Sequence, residues 1–130
     1  MADLNVYPDR LQISLTRAER TLARRRRDLV VERGTIASVT ITSDPWIWIR
    51  GLRDPGVFIP LTLAVGTWKF HGGRDFLLVK GHKRAAVVVD VEGEGVEFGR
   101  LIVSTPHAVR LAHVLRLADP HEIDSAGETI

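Results

Sequence analysis

Trp46 and Trp48 stand two residues apart and are followed by Arg50 and Arg53, which sets two amphipathic rings beside two guanidinium groups. Such a group can cover a sheet with a cation over the rings, or form a rim that wets a membrane interface or grips an anionic partner. The first reading is structural and the second functional. A second basic group, Lys69, His71, Arg74, Lys80, Lys83 and Arg84, lies in the segment 66–84, whose net charge is +4. Together Arg50, Arg53, Lys69, His71, Arg74, Lys80, Lys83 and Arg84 are the candidate ligand-binding residues, with Trp46 and Trp48 as the candidate membrane or partner rim. Turns between adjacent strands are expected to bring the 66–84 cations to strand ends.

Catalytic chemistry is poorly provided for. The chain has no cysteine, which removes thiolate metal sites, disulfides and cysteine nucleophiles. His107, His113 and His121 are spaced six and eight apart, and His71 and His82 fall on different turns, so none has the i, i+4 pairing of a helical zinc site. Ser104 reads as a strand end and His107 as first-turn helix surface, which leaves no nucleophile, base and orienting acid in one place. No strand leads into a helix through a glycine-rich phosphate loop. The expectation is a protein that is not an enzyme and holds no metal or cofactor.

The chain of 130 residues is one domain in size, 45% hydrophobic and 26% charged. Its net charge of +2 does not mark a nucleic-acid binder, and the basic residues are not interleaved with exposed aromatics except near the two tryptophans. The total hides a separation: residues 10–33 carry +5, whereas residues 85–130 carry −5. Fifteen of the 18 basic residues are arginine, which favours bidentate contacts with phosphate or carboxylate and is also what a high-GC genome produces. The first ten residues lack a signal-peptide core, and the longest apolar stretch, 57–65, is about half a membrane span. A cytoplasmic protein without a transmembrane segment is expected, with attachment to the inner face of the membrane as an option.

The elements that must position these residues are mostly strands. Leu11, Ile13 and Leu15 alternate with polar residues and predict strand one over 10–15. Thr16 to Glu19 has capping-box spacing and predicts a short helix over 17–25. Arg24 to Arg27 then fall near the helix C-terminus, where the helix dipole favours positive charge, a reading ranked ahead of a localisation signal or nucleic-acid patch. Strands are expected over 35–42 and 46–50, the latter with Trp46, Trp48 and Arg50 on one face, and a turn-rich loop over 51–56. Pro60 confines 57–65 to an edge or bulge. Runs 66–70, 74–80, 85–91 and 96–104 are separated by short turn signals and predict a four-strand antiparallel meander, with a hairpin turn at Gly72-Gly73. That hairpin puts Trp68, Phe70, Leu77 and Val79 on one face and leaves Phe76 in conflict on a charged one. Thr105 and Pro106 can open a last helix whose Ala108, Leu111, Ala112 and Leu115 form an apolar stripe opposite Arg110, His113 and Arg116. Residues 119–130 read as a polar, mobile tail.

Several pieces together carry a resemblance: Leu15-Thr16-Arg17-Ala18-Glu19, the Ile36 to Ile41 strand, Arg50-Gly51-Leu52-Arg53-Asp54-Pro55-Gly56, Gly66-Thr67-Trp68, Arg74-Asp75-Phe76 and the Ala85 to Val91 run. Over roughly residues 8–118 the chain resembles the small bacterial pleckstrin-homology (PH)-like proteins common in actinobacteria. The resemblance implies a mainly β, PH-like barrel of two antiparallel sheets, about seven strands, a short helix after strand one and a C-terminal capping α-helix, in one domain over 1–118. It implies little about activity. Eukaryotic PH domains often hold phosphoinositides with basic residues in the loop after strand one, whereas strand one here leads into a helix, so that motif does not transfer. Some bacterial relatives form symmetric oligomers.

The functional expectation is a non-catalytic PH-like interaction module for an anionic partner, lipid headgroups or an acidic protein segment. The alternatives are a self-associating structural subunit that pairs through strand edges, and a small-ligand barrel or enzyme.

Overall fold

A run such as Val87-Val88-Val89, apolar on consecutive positions, can be hidden only where a strand is covered on both faces. All three valines are buried in the computed structural model, which describes residues 3–93, 95–116 and 127–130. The fold is mainly β, with two sheets and two α-helices. One sheet has four strands in the order β10 (Glu128–Thr129), β1 (Asp3–Val6), β2 (Arg10–Ser14) and β3 (Leu29–Glu32). The other has six, in the order β4 (Ile36–Thr42), β8 (Ala86–Val91), β9 (Arg100–Ser104), β7 (Gly73–Lys80), β6 (Leu63–Phe70) and β5 (Leu52–Ile59). Among the described residues no strand pairing joins the two sheets into a closed barrel.

The main core lies between the sheets. Leu4, Val6, Leu11 and Ile13 face Val65, Phe76, Leu78, Val87, Val89, Leu101 and Val103, and each such side chain contributes roughly 1.5–3 kcal/mol of hydrophobic stabilisation. Helix α2 (Ala108–Leu115) joins it through Ala108, Leu111, Ala112 and Leu115, the stripe expected from the sequence. Val114 is buried as well, and Val109 is the exposed apolar residue of this helix. Thr105 accepts from the His107 backbone N–H at 3.1 Å rather than serving as the N-cap, which is His107 itself.

Helix α1 (Arg17–Ala23) has the capping box in full: Thr16 Oγ1 accepts from Glu19 N at 3.2 Å and Glu19 Oε1 accepts from Thr16 N at 2.8 Å. It follows the strand 10–14, which is the second in the chain, and it ends at Ala23 with Arg24 as a left-handed cap at φ 54°.

Four expectations are corrected. The segment expected as a strand over 46–50 is a 3-10 helix, Pro45–Trp48, because Pro45 presets a helical φ and the rings gain more by folding over the outer sheet face than by extending. The expected loop 51–56 is mostly strand, the start of β5, with a register break between Arg53 and Gly56 that takes up the irregularity. The antiparallel meander is broken, since β9 inserts between β7 and β8 and pairs parallel with β7. Leu101, Ile102 and Val103 are all buried, so β9 must have sheet on both sides and a layer over each face. The last expected run also shortens, from 96–104 to β9 at Arg100–Ser104.

The hairpin turn is His71-Gly72 rather than Gly72-Gly73, as Phe70 pairs with Gly73 and Trp68 with Asp75. Moving a two-residue turn by one position moves partners by two, which keeps every side chain on its face. Trp68, Leu77 and Val79 therefore share the outer face as expected, and Phe76 lies in the main core against Phe98. The strand is charged at its turn end and apolar inside, so the conflict over Phe76 disappears. β5 is an edge strand, with Pro60 in the turn that follows it. Of the expected tail, residues 119–126 lie outside the described residues, and β10 pairs with β1.

Candidate anion-binding surface

The outer face of the six-stranded sheet carries a second, smaller core of Ala64, Trp68, Leu77, Val79, Val88 and Ile102, roofed by Trp46, Trp48 and Ile49. Trp46 Nε1 donates to Gly81 O at 2.8 Å, and Phe58 stands edge-on between Trp46 and Trp68 at 6.0 and 6.2 Å. The two tryptophans are thus engaged in covering the sheet rather than forming a free rim. At one end of this face a row of alternating charge crosses three strands. Asp90 on β8 accepts from Arg100 Nε at 2.8 Å, Arg100 pairs in register with Asp75 on β7, and Asp75 accepts from Arg50.

Arg50 spends both faces of its guanidinium inside the protein. Its Nε and Nη2 donate to Asp75 at 2.7 and 3.1 Å, and its carbon lies 3.9 Å from the centre of the Phe70 ring. Bonding to the Asp75 carboxylate raises Arg50 above its ordinary value, although partial burial acts the other way. The cation over the Trp pair foreseen from sequence is instead Arg100, 5.5 Å from Trp48.

Lys80 is likewise occupied. Its Nζ donates to Glu19 Oε2 at 2.7 Å, which ties the C-terminal end of β7 to α1. Burial pushes Glu19 upward, but the Lys80 ammonium and the Thr16 N–H outweigh it and hold the carboxyl below its usual range.

The remaining candidates divide between two ends of the sheet. Arg53, Lys69, His71 and Arg74 are exposed around the β6–β7 turn. Lys83 and Arg84 are exposed at the far end of β7, roughly 24 Å away for an eight-residue strand. The structure therefore separates what the sequence read as one +4 patch. Arg84 reaches the mouth of a cleft of about 500 Å³ formed with Lys80, Ala85, Ser104, Thr105 and Pro106.

The Glu19–Lys80 contact brings a further set of cations to the Lys83 and Arg84 end. Arg17, Arg24, Arg26 and Arg27 are all exposed and their guanidinium groups have no partner among the described residues. Arg17, Arg24 and Arg26, with Arg20, Thr21 and Arg25, line a shallow concavity of about 460 Å³. Comparison with known proteins adds nothing to this geometry. No protein family, curated protein or solved structure matches the chain.

The arginine run was visible in the sequence, but the helix-dipole reading drew attention away from it. Because α1 stops at Ala23, residues 25–27 lie beyond the helix and the dipole does not account for them. Among the described residues no three His, Asp or Glu side chains group as metal ligands, and no helix is long and apolar enough to cross a membrane.

Proposed function

We propose that this protein is a non-catalytic interaction module that docks on an anionic partner, a membrane surface or an acidic protein segment, through the end of the six-stranded sheet next to α1. The observation that carries this reading is the set of exposed, unpartnered cations Arg17, Arg24, Arg26, Arg27, Lys83 and Arg84 at that end. Cations with structural duties elsewhere, such as Arg50 and Lys80, are each matched to a buried carboxylate. The PH-like likeness supports the same reading through its sequence motifs, and the C-terminal helix docked on a mainly β fold agrees with it. The docking geometry differs from a PH loop site, as the cations belong to a helix and the loop after it.

Six such residues at roughly 1 kcal/mol each against an anionic bilayer correspond to a dissociation constant of tens of micromolar. Attraction of that kind decays within a Debye length of about 8 Å and is weakened by salt. Sedimentation with anionic and neutral vesicles at low and high salt tests it. Retention on anionic vesicles alone, lost at high salt and reduced in Lys83→Ala/Arg84→Ala, is the expected result. Equal recovery on both vesicle types, or on neither, removes the membrane partner.

A second reading, self-association through a strand edge, is favoured by β5. This edge strand exposes Leu52, Phe58 and Ile59, and Leu61 follows in the turn, whereas β4 at the other edge has Val39 O engaged by Arg116. A solution mass of twice the monomer that reverts to monomer in Phe58→Lys would favour it.

A further inference from the structure

Two of the arginines around the α1 concavity are spent on building it. Arg20 donates to Leu15 O, Arg26 O and Asp28 Oδ1, at 3.2, 3.1 and 2.7 Å, so one guanidinium pulls the loop after α1 back against the helix. Arg25 pairs with Glu97 and lies 5.4 Å from the centre of the Phe98 ring, which fastens the same loop to the chain before β9. The backbone turns through the left-handed Arg24, with Arg25 N donating to Arg20 O at 2.8 Å.

What the tied loop presents is a set of free forks. Arg17, Thr21 and Arg24 are spaced i, i+4 and i+7 and so share one side of the helix, and Arg26 borders the same concavity from the loop. The guanidinium groups of Arg17, Arg24 and Arg26 are exposed and have no partner. Placing three like charges around one hollow costs electrostatic free energy unless a multiply charged anion visits it. A guanidinium fork matches phosphate oxygens two at a time, which a lysine ammonium does not.

We infer that this concavity is a binding site for a phosphomonoester dianion, held by Arg17, Arg24 and Arg26 on a loop preformed by Arg20 and Arg25. The inference rests on the anionic-partner reading and narrows it from charge to phosphate geometry. A phosphomonoester can come from a lipid headgroup or from a soluble phosphate, and the two are separated by experiment.

Vesicles of phosphatidylcholine carrying phosphatidic acid, which displays a monoester, are compared with vesicles carrying phosphatidylserine at matched surface charge. Wild type, Arg24→Lys/Arg26→Lys and, as a control from the far end of the sheet, Arg53→Ala/Arg74→Ala are sedimented with each, after thermal melting has shown that the variants fold. Wild type should prefer phosphatidic acid by about tenfold. The lysine variant, which keeps the charge and loses the forks, should fall to the phosphatidylserine level while the control keeps the preference. Calorimetric titration with inorganic pyrophosphate assigns the source: heat of binding that is lost in the lysine variant indicates a soluble phosphate, and silence together with the vesicle preference indicates a headgroup. Equal binding to both lipids, or a preference that survives in the lysine variant, overturns the phosphate site and leaves the broader anionic reading standing. Absence of salt-sensitive binding to either vesicle overturns both.

Discussion

Glu19 caps its own helix with one carboxylate oxygen and holds Lys80 of β7, 61 residues away, with the other. The carboxylate is almost completely buried, at 1% exposure, while Lys80 keeps part of its surface in water. A local motif that would form in an isolated helix is thereby turned into a long-range tie between α1 and the six-stranded sheet.

Lys80→Met should therefore destabilise the fold by about 3 kcal/mol, the low end of the cost of breaking a buried ion pair because water still reaches the lysine end. A chemical denaturation midpoint equal to wild type would refute the tie. Lys80 then counts as a structural residue rather than a ligand contact.

The pH dependence follows from the lowered Glu19 value. A depressed carboxyl contributes stability that is present in full above its unfolded value, about 4.5, and is lost as pH falls through the folded one. Wild type should lose stability on acidification below about pH 4.5 more steeply than Glu19→Gln, which retains the capping geometry without the charge. Parallel melting curves for the two proteins from neutral to acid pH would show that the pair contributes nothing.

Arg50 and Arg53 should behave oppositely, although they share one stretch of sequence. Arg50→Ala leaves the fully buried Asp75 carboxylate without its two-point partner and should cost about 3–5 kcal/mol. Arg50→Lys should recover only part of this, because an ammonium cannot reproduce both bonds. Arg53, exposed and opposite Trp68 across the strand pair, should change stability by no more than about 0.5 kcal/mol as Arg53→Ala. Thermal melting of the three variants side by side decides this.

Leu111→Ala tests the seat of α2. Leu111 is 2% exposed in the core between the sheets, and its truncation should cost about 2–5 kcal/mol. An unchanged midpoint would mean that α2 does not close the end of the core.

Patterns with a local cause were legible from the amino acids alone. The capping box of Thr16 and Glu19, the apolar stripe of α2, the edge position imposed near Pro60 and the alternation of β2 and β4 each depend on residues within a few positions of one another. The Gly72 hairpin was readable to within one residue, and its faces survived the error because side chains alternate with a period of two.

Tertiary structure alone decided what depends on partners far along the chain. Short turns on either side of β8 suit a meander as well as they suit a strand slipped between its predecessors, and only burial of β9 on both faces selects the parallel pairing with β7. Charge is the sharper case. Arg50, Lys80, Arg24 and Arg26 are alike in sequence as cations near turns, yet Asp75 and Glu19 neutralise the first two and nothing meets the others. An ion pair is set by the geometry of two side chains across 25 or 61 residues, which no local pattern encodes. The cations free to meet an anion are thus those left over once the fold has satisfied its buried carboxylates.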